Sequence, residues 1–386
     1  MRIALIAGEY PPLQGGLGDY TRRLAEALVG LGHELHVITR FVAGEPTNSL
    51  GGGVYVHRLV TAWNWETRRR IEGFNRLFRP DVLNMQYQAA AYQMHPAINL
   101  LPGALAKHIP TVVTFHDLRV PYLFPKAGFL RWKAITSMAK SASACIATNV
   151  EDRDTLIREG VRMVSLIPIG SNIIPAPLSS FDPAAWMRTR GIAEDTILVG
   201  YFGFLNESKG AETLLRALSL LRARGVNVGL LHIGGRTGDS DPTNQAYAAQ
   251  LDRLADALGL RAHIHTTGFL DERGVSEAFA ACACVALPYR DGASFRRGTL
   301  MAALAHRCAV ITTEPRIALK ELTDGENVLL VPPEQPDALA DAITRLIGDP
   351  SLRARLQAGA GALSRLFEWD SIAARTAELF SALLSG

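Results

Sequence analysis

MRIALIAGEYPPLQGGLGDYTRRLAEALVGLGHELHVIT, residues 1–39, decides the fold. Residues 3–7 form an apolar run with the length of a buried strand. Gly15, Gly16 and Gly18 then open a stretch in which Leu17, Leu24, Leu28 and Leu31 recur at helical spacing. A second strand-like run, 35–39, follows Gly32. Strand, glycine loop, helix and strand make one parallel βαβ unit.

The same alternation continues outward. Runs at 54–59, 81–86, 111–115, 144–148 and 163–167 read as strands, with helix-like segments between most of them. It breaks across residues 170–194, where Pro175, Pro177, Ser179, Ser180 and Pro183 cluster just beyond Pro168. Beyond the break, strands are expected at 197–202, 228–233, 263–266, 284–287, 309–312 and 328–331. Three helical stretches follow from Pro336, the last of them, 370–384, after Phe367 and Trp369. The pattern predicts an α/β chain of two doubly wound, Rossmann-like halves facing each other across a cleft. The first spans 1–175, and 176–369 forms the second. Such sheets bind ligands beyond the carboxyl ends of their strands, so residues just after strands are the ones to read.

Composition agrees with a two-domain globular chain. Its 386 residues are 48% hydrophobic and 20% charged, which excludes disordered and fibrous classes. A net charge of +3 argues against a dedicated nucleic-acid binder. The cysteines Cys145, Cys282, Cys284 and Cys308 sit in or beside apolar runs, as small buried hydrophobes do. Cys282 and Cys284 lack a second ligand pair at zinc spacing, so no metal is expected there. The first apolar run is too short for a signal peptide and meets Glu9. No run reaches the ~20 residues of a membrane span. A cytoplasmic chain is expected, at most peripheral on the inner face of a membrane.

Four loops carry candidate chemistry. Gly15 and Gly16 can offer backbone amides to a phosphate at a helix N-terminus, and they equally suit a ligand-free turn. His116 and Asp117 follow the run 111–115, placed for sugar contact or for capping backbone groups. Lys209, one of only six lysines, follows Gly203 after the run 197–202. It can face a diphosphate as a point charge or stand solvated on a first turn. Residues 290–300, RDGASFRRGTL, bring Asp291, Ser294, Arg296, Arg297, Gly298 and Thr299 ahead of an apolar helix. That composition suits an anion at a helix N-terminus better than a solvated loop.

Two further features have bland alternatives. Asp239-Ser240-Asp241 could bind a metal, but lies in a loop where both aspartates suit helix N-caps before Pro242. Residues 118–150 hold no acidic residue but carry Arg119, Lys126, Arg131, Lys133 and Lys140, interleaved with Phe124, Phe129, Leu130 and Trp132. Such a stretch suits an anionic membrane or lipid-phosphate acceptor, or an ordinary surface helix.

Taken in order, these residues resemble a glycosyltransferase of the two-Rossmann (GT-B) type, most similar to family 4. The resemblance runs through Glu9-Tyr10-Pro11-Pro12 to Gly15-Gly16, then Gly32-His33-Glu34-Leu35 and Thr114-Phe115-His116-Asp117. It continues with Ile167-Pro168-Ile169-Gly170, Gly203 through Lys209-Gly210, Gly268-Phe269-Leu270 and Phe367-Glu368-Trp369. It implies a last helix returning to the first domain, so 370–386 completes 1–175. It also implies a nucleoside-diphosphate sugar held mainly by the second domain and a sugar, lipid-linked or small-molecule acceptor held by the first. Transfer is expected with retention of configuration and without a metal or other cofactor. Lys209 would then meet the diphosphate, and His116 the transferred sugar. Gly15, Gly16, Gly203, Phe204 and Gly234 would line the donor, while Phe269 and Leu270 flank its base. Lys126, Arg131 and Lys133 would face the acceptor or membrane.

Two departures stand out. The family's arginine before the lysine is Phe204 here, and its two glutamates eight positions apart are Ser294 and Ala302. Asp291 is placed to replace the first glutamate, and Arg297 beside Gly298, with Arg296, to restore the missing positive charge. Three function classes stay open: a transferase making a polysaccharide precursor, glycolipid or small glycoside; a catalytically weak nucleotide-sugar-binding partner; and a nucleotide-sugar epimerase on the same fold.

Overall fold

The protein is described by a computed structural model covering residues 1–13, 15–118, 128–171, 173–236 and 242–385, side chains of 242–244 excepted. It divides into two compact units, Met1–Asn172 with Phe367–Gly386, and Ile173–Leu366.

The first unit runs β1 (Arg2–Ala7), α1 (Gly16–Gly30), β2 (Glu34–Arg40), β3 (Asn48–Gly51), β4 (Val54–Val60), α2 (Thr67–Phe78) and β5 (Val82–Tyr87). It continues with α3 (Ala97–Leu105), β6 (Thr111–Phe115), α4 (Gly128–Ser141), β7 (Ala144–Ala147), α5 (Val150–Arg158) and β8 (Val164–Leu166). The eight strands are ordered β3-β4-β2-β1-β5-β6-β7-β8. All pairs are parallel except β3–β4. That antiparallel β3 is an addition to the sequence expectation. It is an exposed edge strand whose Asn-Ser-Leu-Gly leaves no alternating pattern to read.

The second unit contains α6 (Pro183–Arg188), β9 (Ile197–Phe202), α7 (Ala211–Ala223), β10 (Val228–Ile233), α8 (Pro242–Ala257), β11 (Ile264–Thr266) and α9 (Glu272–Ala281). After these come β12 (Cys284–Leu287), α10 (Gly298–Ala305), β13 (Val310–Thr313), β14 (Leu329–Val331), α11 (Pro336–Gly348) and α12 (Pro350–Ser364). Its sheet, β11-β10-β9-β12-β13-β14, is parallel throughout. Strands with both faces covered are near-continuous apolar runs, as β10 is in being buried at every position.

The last helix, α13 (Trp369–Ser385), belongs to the first unit. Ile372, Ala373 and Phe380 enter the same core as Leu24 and Leu28 of α1. Phe380 is fully buried, and truncation to alanine there costs about 3–5 kcal/mol. Trp369 Nε1 donates to the Ser171 carbonyl at 2.8 Å. A Cβ on Gly170 would sit 2.6 Å from the Trp369 indole, so that glycine lets the ring in.

Candidate functional site

In the first unit, the ends of β5 and β6 meet beside Tyr20 of α1. β6 ends at Phe115, and the His116 amide donates to the Tyr87 carbonyl at 3.1 Å, which fixes the turn. The His116 ring is half-buried, and its Nε2 lies 2.9 Å from Gln86 Oε1. Tyr20 of α1 meets the ring edge-on at 4.5 Å and meets Trp369 at 5.2 Å. Burial pushes the His116 imidazole down to about 3. That shift favours the neutral ring.

Gly15 caps α1, and Gly16 is the first helical residue, with open space where a Cβ would lie. A Cβ on Gly15 would collide with the Glu9 carboxylate, 1.9 Å from Oε1. The positive end of α1 is thus faced by this chain's own carboxylate. On α4, Phe129 and Leu130 are 67% and 69% exposed. Lys133 Nζ rests 4.6 Å from the centroid of the Phe129 ring. Trp132 instead turns inward, donating to Glu159 Oε1 at 3.0 Å. Arg131 is half-buried and Lys140 exposed. Lys126, Arg119 and Phe124 lie outside the described residues, as do Asp239 and Asp241.

In the second unit, the loops after β9 and β12 meet, because those strands are neighbours. Gly203 has φ +97°, a conformation glycine adopts without strain. A Cβ there would sit 3.0 Å from Lys209 Nζ and 2.7 Å from the Thr299 methyl. The ammonium therefore stands directly over the backbone at the end of β9. Lys209 occupies a short 3₁₀ turn, Glu207–Lys209, and α7 begins two residues later. A Cβ on Gly210 would overlap the Pro288 carbonyl at 1.8 Å, so the two loops touch. His232 Nε2 donates to the Gly203 carbonyl at 3.0 Å, steadying the turn from β10.

Arg297 caps α10 and reaches back across this site. Its guanidinium donates to Ser208 Oγ at 3.2 Å, is ion-paired with Asp291, and lies 4.8 Å from the centroid of the Tyr289 ring. The Tyr289 hydroxyl is 2.7 Å from Thr299 Oγ1, and burial holds it well above its ordinary pKa. Burial, with the Arg297 charge second, pushes Lys209 down to about 8. Two cations beside the first backbone amides of α10 are the groups that an anion would meet here.

The other residues expected there spread around it. Ser294 Oγ accepts from the Arg296 amide at 3.3 Å. Gly298 is exposed, and Gly234 backs onto Gly203, a Cβ on it lying 3.7 Å from the Gly203 Cα. Phe204 is 47% exposed with its ring against Gly235, and Phe269 is 89% exposed. Leu270 packs on Gly274. Ala302 is fully buried in α10. Among the described residues, no group of three His, Cys, Asp or Glu could hold a metal. No helix among them is long and apolar enough to cross a membrane.

Residues missed by the sequence reading are Ser208, Tyr289 and His232 here, and Tyr20, Asn84 and Gln86 in the first unit. The two amides could have been noticed as polar residues two apart within an otherwise apolar strand.

Comparison with known proteins follows the same division. The family described as "Glycosyl transferase 4-like domain" matches residues 15–170, and "Glycosyl transferases group 1" matches 196–349. The chain is 25% identical to D-inositol 3-phosphate glycosyltransferase of Xylanimonas cellulosilytica, over 98% of this chain and 96% of that one. It is 26% identical to phosphatidyl-myo-inositol mannosyltransferase of Mycobacterium tuberculosis, again over 98% and 96%. Among solved structures, sucrose-phosphate synthase from Thermosynechococcus elongatus superposes with TM-score 0.76 at 21% identity, covering 100% and 99% of the chains. HepE of Anabaena, in complex with UDP, gives 0.76 at 19%, covering 99% and 100%.

Proposed function

The chain belongs to the glycosyl transferases that join a family-4-like domain to a group 1 domain, and from that membership we propose that it transfers a sugar from a nucleoside diphosphate to an acceptor hydroxyl with retention and without a metal. The observation that carries this is the placement of Lys209, Arg297 and the α10 N-terminus around Gly203. When the bond from the anomeric carbon to the phosphate oxygen breaks, charge grows on the diphosphate. Those cations and amides are aimed at that charge. The acceptor oxygen bonds the anomeric carbon on the face the phosphate leaves. Its proton passes to the departing phosphate oxygen, since His116 is too weak a base to take it. His116 instead contacts the sugar through a hydrogen bond.

The acceptor in this reading is a polyol, free or lipid-linked. Two relatives are named for inositol phosphate and phosphatidylinositol acceptors, and the exposed Phe129, Leu130 and Lys133 of α4 suit the lipid-linked form. The protein then works at the cytoplasmic face of a membrane.

The test is a panel of UDP-, GDP- and ADP-sugars, read as nucleoside diphosphate release with and without EDTA. Turnover by one donor that survives EDTA and collapses in Lys209→Ala is the expected result. Loss in EDTA, restored by manganese, would return the metal to the mechanism. Binding without turnover under any acceptor would leave a nucleotide-sugar-binding partner.

A further inference from the structure

We propose that Asn84 and Gln86 are positioning residues that fix the tautomer of His116, leaving its Nδ1 as a bare acceptor for a hydroxyl of the transferred sugar. Both lie on β5 between β1 and β6, and both are 0% exposed. A primary amide in a central strand is costly unless its donors and acceptors are all met. Here the partners of the two amides set one orientation for each.

The order starts at a group that cannot donate. The Val112 carbonyl of β6 only accepts, and Asn84 Nδ2 faces it at 3.3 Å while also donating to Thr114 Oγ1 at 2.9 Å. Asn84 Oδ1 is therefore turned toward Gln86, where it accepts from Nε2. The Thr114 hydroxyl reaches the same oxygen at 3.4 Å. That orientation leaves Gln86 Oε1 pointing at His116 Nε2, at 2.9 Å. An amide oxygen can only accept, so Nε2 carries the hydrogen.

A neutral imidazole has one N–H, so the other nitrogen presents a lone pair. The ring stays neutral across working pH because burial holds it so low. His116 Nδ1 has no hydrogen-bond partner among the described residues, while the ring is held edge-on by Tyr20. The relay thus aims an acceptor rather than a donor or a charge. Sugars carry hydroxyls that donate, and an acceptor of fixed direction selects where one may sit. Asn84 and Gln86 touch no substrate in this arrangement and act only through the histidine. The sugar contact rests on the glycosyl-transfer reading; the tautomer does not.

The experiment uses full-length protein labelled with ¹⁵N-histidine, with His116 assigned by loss of its signals in His116→Asn. Two-bond ¹H–¹⁵N correlations should show wild-type His116 protonated on Nε2. Gln86→Leu removes the acceptor and should mix the tautomers. Asn84→Leu, a second variant for the case that the first does not fold, leaves the Gln86 amide free to turn and should do the same. In whichever variant folds, KM for the best donor of the panel should rise about 5- to 10-fold, the scale of one neutral hydrogen bond. Affinity for the corresponding nucleoside diphosphate, which lacks the sugar, should stay within about 2-fold. Wild-type His116 protonated on Nδ1 overturns the proposal, as does an unchanged tautomer in the folded variants. Parallel weakening of donor and diphosphate shows a merely structural role and overturns it too. No turnover with any donor defeats the transferase reading alone, since the tautomer is read without one.

Discussion

Arg297 and Asp291, six residues apart in one loop, are ion-paired to each other, and the guanidinium also holds Ser208 of the neighbouring loop. The expected replacement cation and the expected replacement carboxylate are thus one unit. The Arg297 side chain is mostly covered while Asp291 is more open. In the proposed reaction, an incoming diphosphate would meet a cation that is already oriented, with its partner at the solvent side.

Arg297→Ala is expected to lower turnover about 10- to 150-fold, the range for one charge-assisted hydrogen bond made to a leaving group. Lys209→Ala should cost at least as much. The double variant should fall short of the product of the two if, as proposed, both cations serve one diphosphate. Arg290→Ala is the control: its guanidinium is engaged by Glu207 and Glu334 on the surface, and activity should hardly move. Steady-state kinetics on the four variants decide this, and full turnover in Arg297→Ala removes Arg297 from the mechanism.

Asp291→Asn should tighten nucleoside diphosphate binding about 2- to 5-fold, since a partly exposed ion pair is worth up to ~1 kcal/mol and the ligand has to compete with it. The asparagine keeps a hydrogen bond to the guanidinium while removing the charge. Calorimetric titration reads it. Weaker binding would mean that the carboxylate orients Arg297 more than it competes for it.

The βαβ alternation was legible because buried strands and amphipathic helices carry periods, and thirteen of the fourteen strands among the described residues follow from it. The strand that did not, β3, has no buried face to pattern its residues. The site was legible only as loops. That Lys209 is half-buried, and not fully solvated, goes with its place beside Gly203, next to which Thr299, nearly a hundred residues further along the chain, also lies. Asn84 and Gln86 were passed over because a strand of Val, Leu, Met and Tyr reads as core whether or not two amides interrupt it. Only the partners across β6 reveal that they form a relay.

In the proposed reaction, Lys209 should give an alkaline limb to the pH–rate profile. Its pKa in the free protein is about 8, so kcat/KM should fall as pH rises through that value and the ammonium loses its proton. Lys209→Arg should move the limb upward, since a guanidinium stays charged. The sign reverses for stability. The unfolded chain holds this proton up to the ordinary lysine range, so raising pH from about 8 into that range relieves a penalty in the folded state. Bound diphosphate restores the higher pKa and should erase the gain. A pH–rate profile without the limb, in an enzyme that still needs Lys209, would show the ammonium to be better solvated than the fold suggests.

The last expectation concerns α4. Phe129 and Leu130 stand exposed at its first turn beside Lys133, and Lys140 is exposed at its far end. Two large apolar side chains in water are ordinary singly, but together with cations they suit the boundary of an anionic bilayer. Each lysine near such a surface contributes about 1 kcal/mol, and the attraction fades within a Debye length. Binding to vesicles containing phosphatidylglycerol should therefore be released by salt. It should weaken about 5-fold in Lys133→Gln, and weaken again when Phe129→Ser and Leu130→Ser remove the apolar part. Trp132 is excluded from this face by its hydrogen bond to Glu159, so Trp132→Phe should bind vesicles like the wild type. Sedimentation with anionic and neutral vesicles separates the terms. Equal partitioning to both would make α4 a surface helix whose lysines serve solubility alone.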